Sequence, residues 1–289
     1  MSMGDPSERP AGFAVAVRAV VRAESIPPRL DEETYLRTQK VYEAHSDQRI
    51  RIAHWLGNRL PALPPTRSTV RVLSVGCGDG SLDVALATTL IERGHRVEYV
   101  GVEPSTAAGA AFTERLGLLP GVEATVLPTR LEEAALRGSF DIVVAIHSFY
   151  YLDRPAAQLR RLIDVLLPGG SLVVMNAPLL GLNQLVEALA PDEDATSLVY
   201  SDVVGDILLQ LGQTARCHRI DAALDVSPCF DPRSDLGRDI LQFLTHADLS
   251  GLSPEAHGAL RDHLRALTLT PGGTLVPHPV DVLVVTDLV

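Results

Sequence analysis

Three glycines spaced two apart follow an apolar run in Val72-Leu-Ser-Val-Gly-Cys-Gly-Asp-Gly80. Glycine there lets the backbone turn with positive φ and lets a ligand approach without meeting a Cβ, and the helix that follows offers unpaired N–H groups at its start. Glu103 ends the next apolar run, 23 residues beyond Gly80, where a carboxylate can accept hydrogen bonds from both hydroxyls of a ribose. Together Gly76, Gly78 and Glu103 point to a cofactor containing adenosine. Two such cofactors compete. A nicotinamide dinucleotide wants G-x-G-x-x-G with an uncharged interior, because its pyrophosphate lies on the helix end. Asp79 stands inside this loop and would repel a pyrophosphate, whereas an acid suits the cationic methionine tail of S-adenosylmethionine. Asp79 also has a plainer use, as a helix cap.

The elements that must hold these residues can be read from periodicity. Short apolar runs at 70–75, 97–102, 122–127, 140–146 and 171–176 alternate with helical patterns at 82–92, 106–116, 131–136 and 155–167, which predicts an α/β fold with a doubly wound, mostly parallel sheet. Further strands at 215–226 and 280–285 bring the sheet to seven, and helices at 180–190, 201–211, 235–245 and 254–267 lie between 178 and 278 as insertions that bind substrate. Residues 1–30 lack sustained periodicity and read as a flexible leader, with order beginning near Asp31. Residues 31–65 read as two helices broken near His45 and Ser46, forming a helical cover over the substrate, and 66–289 as the cofactor-binding domain. Ligands of such sheets bind beyond the carboxyl ends of the strands. That places Thr129 and Ile146 near the adenine, and Tyr150 and Tyr151, just past the fourth strand, near the substrate.

Composition narrows the partners. A net charge of −11, with 25 basic against 36 acidic residues and no basic cluster, argues against nucleic acid or an anionic membrane surface. Cys77, Cys217 and Cys229 are odd in number and lack pair spacing, so neither a disulfide framework nor a metal site is expected. No apolar run approaches the ~20 residues that cross a bilayer, and a cytoplasmic location, as a monomer or weak homodimer, is the expectation.

The glycine loop and Glu103 resemble the first two motifs of class I S-adenosylmethionine-dependent methyltransferases, and Leu167-Pro-Gly-Gly-Ser-Leu-Val-Val174 resembles that fold's entry into its fifth strand. A narrower resemblance, from about Tyr35 to Val285, is to the histamine N-methyltransferase-like family. It rests on Ser74 to Asp83, Val102-Glu-Pro-Ser105, Ile146-His-Ser-Phe-Tyr-Tyr-Leu152, Leu224-Asp-Val-Ser-Pro-Cys-Phe230 and Phe243-Leu-Thr245, in that family's order and spacing. The resemblance implies that Pro104 joins the cofactor residues and that Tyr42, Tyr150, Tyr151, Cys229 and Phe243 face substrate. It also carries departures. The glutamate that recognises histamine is replaced by Gln48, two pocket tryptophans by Leu182 and Val186, and two amides that contact substrate by His147 and His278.

Those departures shape the expected chemistry. A larger pocket without a carboxylate suits a neutral bicyclic ring better than a cationic imidazole. A histidine in place of an amide can remove a ring N–H proton, an effect typically worth about 10²- to 10⁴-fold, so His147 and His278 are the candidate catalytic residues. The preferred reading is an S-adenosylmethionine-dependent methyltransferase acting on an indole-ethylamine derivative at ring carbon three, with closure to a pyrroloindoline as in indole alkaloid biosynthesis. The alternatives are a ring N-methyltransferase of a histamine-like arylethylamine, a nicotinamide enzyme, which Asp79 disfavours, and a silent S-adenosylmethionine-binding protein, which the retained His147, Tyr150, Tyr151 and His278 disfavour.

Overall fold

The computed structural model describes residues 17, 19–21, 27–59, 68–189 and 198–286. The Val/Ile/Leu runs form β1 (Thr69–Val75), β2 (Arg96–Val102), β3 (Val122–Leu127), β4 (Phe140–Ile146), β5 (Leu166–Asn176), β6 (Ala215–Ile220) and β9 (Val280–Val285). These seven make one sheet in the order β3-β2-β1-β4-β5-β9-β6. The first five are parallel, and β9 runs antiparallel to both its neighbours. A further pair, β7 (Ala223–Asp225) and β8 (Leu275–Pro277), forms a separate two-stranded sheet. The helices are α1 (Glu32–Ala44), α2 (Gln48–Asn58), α3 (Asp83–Glu92), α4 (Thr106–Gly117), α5 (Pro155–Asp164), α6 (Leu182–Leu189), α7 (Ser201–Gln210), α8 (Asp235–Thr245) and α9 (Pro254–Leu267).

The chain divides into two compact units. One comprises Ile50–Ala177, Val199–Ile220 and Val280–Val289 and contains the seven-stranded sheet. Alternating strand residues separate its core into two apolar layers. Val72 and Tyr99 pack with Leu56 of α2, Leu86 and Leu90 of α3 and Phe112 of α4, while Leu73, Val143 and Val174 pack with Leu159 and Leu162 of α5 and Val204 and Leu208 of α7. Helices on both faces bury both faces, which is why the parallel strands are apolar almost throughout. The order reverses at β1, with β2 on one side and β4 on the other, so the carboxyl ends of these three strands diverge into a crevice.

The second unit comprises Met1–Arg49, Pro178–Leu198 and Asp221–Pro279. Its apolar cluster joins Leu185 of α6, Ile240 and Leu244 of α8, and Leu260 and Leu264 of α9 to Leu224 of β7. Side-chain caps fix where its helices begin: Asp31 accepts from the Thr34 amide at 2.7 Å, and Ser234 and Ser253 do the same for α8 and α9. Val17 and Val21, in the stretch expected to be a flexible leader, are helical and buried in this cluster. Residues 1–16, 18 and 22–26 of that stretch, and 60–67 between the expected cover and the main domain, lie outside the described residues.

Two local expectations differ from the structure. Residues 131–136 form turns rather than a helix, because the Arg161 guanidinium on α5 draws in the Leu131 and Ala134 carbonyls at 2.9 and 2.7 Å, taking them from any helical ladder. The strand expected at 215–226 is two strands in two sheets. After Ile220 the Ala222 carbonyl accepts from the His278 amide and the Ala223 amide donates to the Asp47 carboxylate, both at 2.8 Å, which turns the chain out of the large sheet. Among the described residues no helix is long and apolar enough to cross a membrane.

One core group ties stability to pH. His263 on α9 is 3% exposed and neither ring nitrogen is hydrogen-bonded, so burial holds its pKa down at about 4. The native state keeps it neutral, while the unfolded chain protonates it below about 6.5. Stability is therefore full above that value and is lost as pH falls toward about 4, by roughly 3 kcal/mol from this group. Urea unfolding between pH 7.5 and 4 should show the decline, and His263→Leu should remove that part of it.

Candidate active site

The loop leaving β1 is shaped by its glycines. Gly76, Gly78 and Gly80 have φ of +62°, +54° and +74°, a left-handed region that side chains disfavour. At Gly76 a Cβ would also lie 2.6 Å from the Ser148 Cβ, so the loop after β4 can approach only a glycine. At Gly78 a Cβ would meet no atom within 4 Å, which leaves open space beside the backbone. The amides of Gly76 and Cys77 donate to the Val102 carbonyl at 2.8 and 3.3 Å, tying the loop to the end of β2.

Glu103 stands at that end and is held on both oxygens: Oε2 accepts from the Gly78 amide at 3.0 Å and Oε1 from the Ser105 amide at 2.9 Å. Each oxygen keeps a further lone pair, so the carboxylate can still accept from a diol. Asp79 does not cap α3, which begins at Asp83 without a side-chain cap, but braces the loop. Its Oδ1 accepts from the Ser81 amide at 3.0 Å and its Oδ2 pairs with Arg115 of α4 at 2.8 Å. Pro104 follows Glu103 on the exposed surface, Thr129 is half-buried past β3 and donates to Glu133 at 3.2 Å, and Ile146 is half-buried at the end of β4. Cys77 packs beneath the loop, where burial and the nearby acids push its thiol well above the usual range.

The residues after β4 form a fixed pair. His147 has φ +53°, unusual for a side-chain residue. Tyr150 accepts from the Ala177 amide at 2.6 Å and points its hydroxyl at His147 Nδ1, 2.9 Å away. That arrangement fixes the orientation of the imidazole. Tyr151 ends the same short turn, Phe149–Tyr151, and its side chain lies outside the described residues.

A second polar group assembles in the other unit. His278 is 6% exposed, and its Nε2 and Nδ1 meet Tyr42 Oη and Ser46 Oγ at 2.5 and 2.9 Å. Ser46 Oγ already accepts from the Gln48 amide at 3.1 Å. If it also accepts from His278 Nδ1–H, Nε2 is left as the acceptor for the Tyr42 hydroxyl. The Tyr42 ring lies 4.5 Å from Phe243. Gln48 is buried and donates its side-chain amide to the His278 carbonyl at 3.0 Å. Leu182 and Cys229 are buried within this unit's apolar cluster, where burial pushes the Cys229 thiol up to about 12, and Val186 is half-buried on α6. Two contributors escaped the sequence reading. Ser46 registered only as a helix break. Asp83, buried at the start of α3, was signalled by a lone acid within the apolar stretch Leu82 to Leu86.

Residues 73–172 match a family profile described as "Methyltransferase domain". The chain is similar to histamine N-methyltransferase A of Xenopus laevis, 21% identical over 262 residues that cover 84% of this chain and 89% of that protein. Histamine N-methyltransferase B of the same species is 21% identical over 282 residues, covering 88% and 96%. A crystal structure from Bacillus halodurans C-125 superposes with a TM-score of 0.53 at 15% identity, over 83% of this chain and 97% of that one, which shows the same fold. The residues present fit S-adenosylmethionine: open space beside Gly78, a carboxylate aimed at the crevice and an acidic surround for a sulfonium. Glu103→Ala should weaken S-adenosylmethionine binding at least about tenfold, or 1.4 kcal/mol, through lost charge-assisted hydrogen bonds; calorimetry that finds unchanged affinity removes Glu103 from the site. The matched stretch runs from within β1 to within β5 of this sheet, so the chain carries a methyltransferase domain on a Rossmann-like fold, which supports an S-adenosylmethionine-dependent methyltransferase.

Proposed function

We propose that the chain methylates a small aromatic molecule, and that its preferred substrate is an indole-ethylamine derivative methylated at ring carbon three and closed to a pyrroloindoline, a secondary-metabolic reaction. The observation that carries this reading is the hydrogen-bonded series Ser46, His278, Tyr42 beside Phe243. Such a series receives a proton from a neutral ring N–H. An ammonium group finds no carboxylate at Gln48, whose amide is spent on the His278 carbonyl.

S-adenosylmethionine supplies the methyl group on a sulfonium, so the ring carbon gains the methyl as the carbon–sulfur bond breaks and sulfur keeps the electron pair. The protein's residues handle the proton. Tyr42 accepts the ring N–H proton as its own hydroxyl proton passes to His278 Nε2, and the resulting imidazolium donates through Nδ1 to Ser46. The side-chain nitrogen then bonds to ring carbon two and its proton moves to the ring nitrogen, so one proton in total leaves the substrate. Phe243 and the Tyr42 ring hold the flat substrate, and aromatic faces favour an approaching sulfonium.

Histamine N-methylation, the activity for which the relatives are named, supports small aromatic amines as a class and favours ring N-methylation as the second reading. Mass spectrometry and NMR of products from a panel of indole, imidazole and phenol ethylamines separate the two. Under single-turnover conditions His278→Asn and Tyr42→Phe should each slow the step by about 10²-fold or more, with S-adenosylmethionine affinity unchanged. Variants that keep the rate reduce the group to orienting the ring.

A further inference from the structure

Asp83 is 3% exposed and opens α3, directly after the glycine loop. The Tyr99 hydroxyl donates to its Oδ1 at 2.9 Å, and Ser74 of β1 is its other side-chain hydrogen-bond partner. No basic side chain among the described residues forms an ion pair with it. The titratable groups around it are Tyr99 from β2 and Cys77 and Asp79 from the loop, and Glu103 acts on the same Cys77. All of these are neutral or anionic. Arg115 of α4 is paired with Asp79 of the loop.

A carboxylate taken out of water without a counter-ion is costly, so its ionisation moves to higher pH. Burial accordingly raises Asp83 to about 6, against the hydrogen bonds from Ser74 and Tyr99, which lower it. The open space beside Gly78 lies on this same loop, and its ligand brings a sulfonium and an ammonium. We propose that Asp83 is a positioning residue that acts as the buried counter-charge to this cationic cofactor, so that S-adenosylmethionine binds the ionised form and its binding drives a proton off Asp83. Asp83 acts through the loop and its field rather than by touching the ligand. The inference rests on the cofactor and is independent of the substrate.

Calorimetric titration of the full-length protein with S-adenosylmethionine between pH 7.5 and 5, in buffers of differing ionisation enthalpy, tests it. Affinity should drop about tenfold over that range, as linkage to one group titrating near 6 requires, with proton release largest at the acid end. Adenosine, which carries no cation, should bind without that slope. Asp83→Asn should bind S-adenosylmethionine more weakly at pH 7.5, about equally to wild type at pH 5, and without proton release. If Asp83→Asn does not fold, Tyr99→Phe serves. Losing that donor destabilises the carboxylate and should move the midpoint of the slope to higher pH. A wild-type affinity independent of pH, an equal slope for adenosine, the same slope in Asp83→Asn or an unmoved midpoint in Tyr99→Phe each overturns the proposal.

Discussion

The carboxyl edge of the parallel sheet depends on one backbone constraint: the chain leaving β1 must reverse against the end of β2 with no side chain in the way. The Val102 carbonyl collects the amides of both Gly76 and Cys77, and this is possible because the loop alternates through left-handed conformations at its three glycines. Once the reversal is made, the Gly78 amide faces Glu103, and the carboxylate is fixed between the loop and the start of α4. The approach of Ser148 to Gly76 then brings the segment after β4 to the same edge. Backbone and carboxylate thus position one another, and little of the site depends on flexible side chains.

Charge is distributed around that edge in an uneven way. Asp79, an exposed acid in the loop, is matched within the chain by Arg115. The buried acid, Asp83, is matched by the Tyr99 and Ser74 hydroxyls and a backbone N–H, and by no basic side chain among the described residues. Such donors make a carboxylate tolerable in the interior without cancelling its charge. In the proposed role that charge is a preorganised environment for a sulfonium.

The polar group of the second unit shows a different construction principle. Tyr42 and Ser46 flank the end of α1, and His278 lies more than 230 residues away between β8 and β9. They meet because the backbones of Asp47 and Ala223 pair, and because the Ala222 carbonyl accepts from the His278 amide. The short β7–β8 ladder and the Ser46–Leu224 bridge hold these segments together, with side-chain bonds completing the join. Phe243 joins them through α8, which packs on α1 through Tyr35 and the Arg37–Asp239 ion pair.

The sequence by itself determined the parts governed by local rules. Two-residue glycine spacing after an apolar strand, an acid ending the next strand, and alternation of strand and helix patterns specified the doubly wound sheet and the cofactor edge, because each is a short-range consequence of φ, periodicity and burial. The helix start at Asp31 was legible for the same reason. Tertiary structure alone decided the rest. The break of 215–226 into two sheets was set by Asp47 and His278, and the unwinding of 131–136 by Arg161, partners whose distance along the chain leaves no local trace. The partners of the histidines were decided the same way: Tyr150 meets His147, and Tyr42 and Ser46 meet His278, and no periodicity or spacing records those meetings.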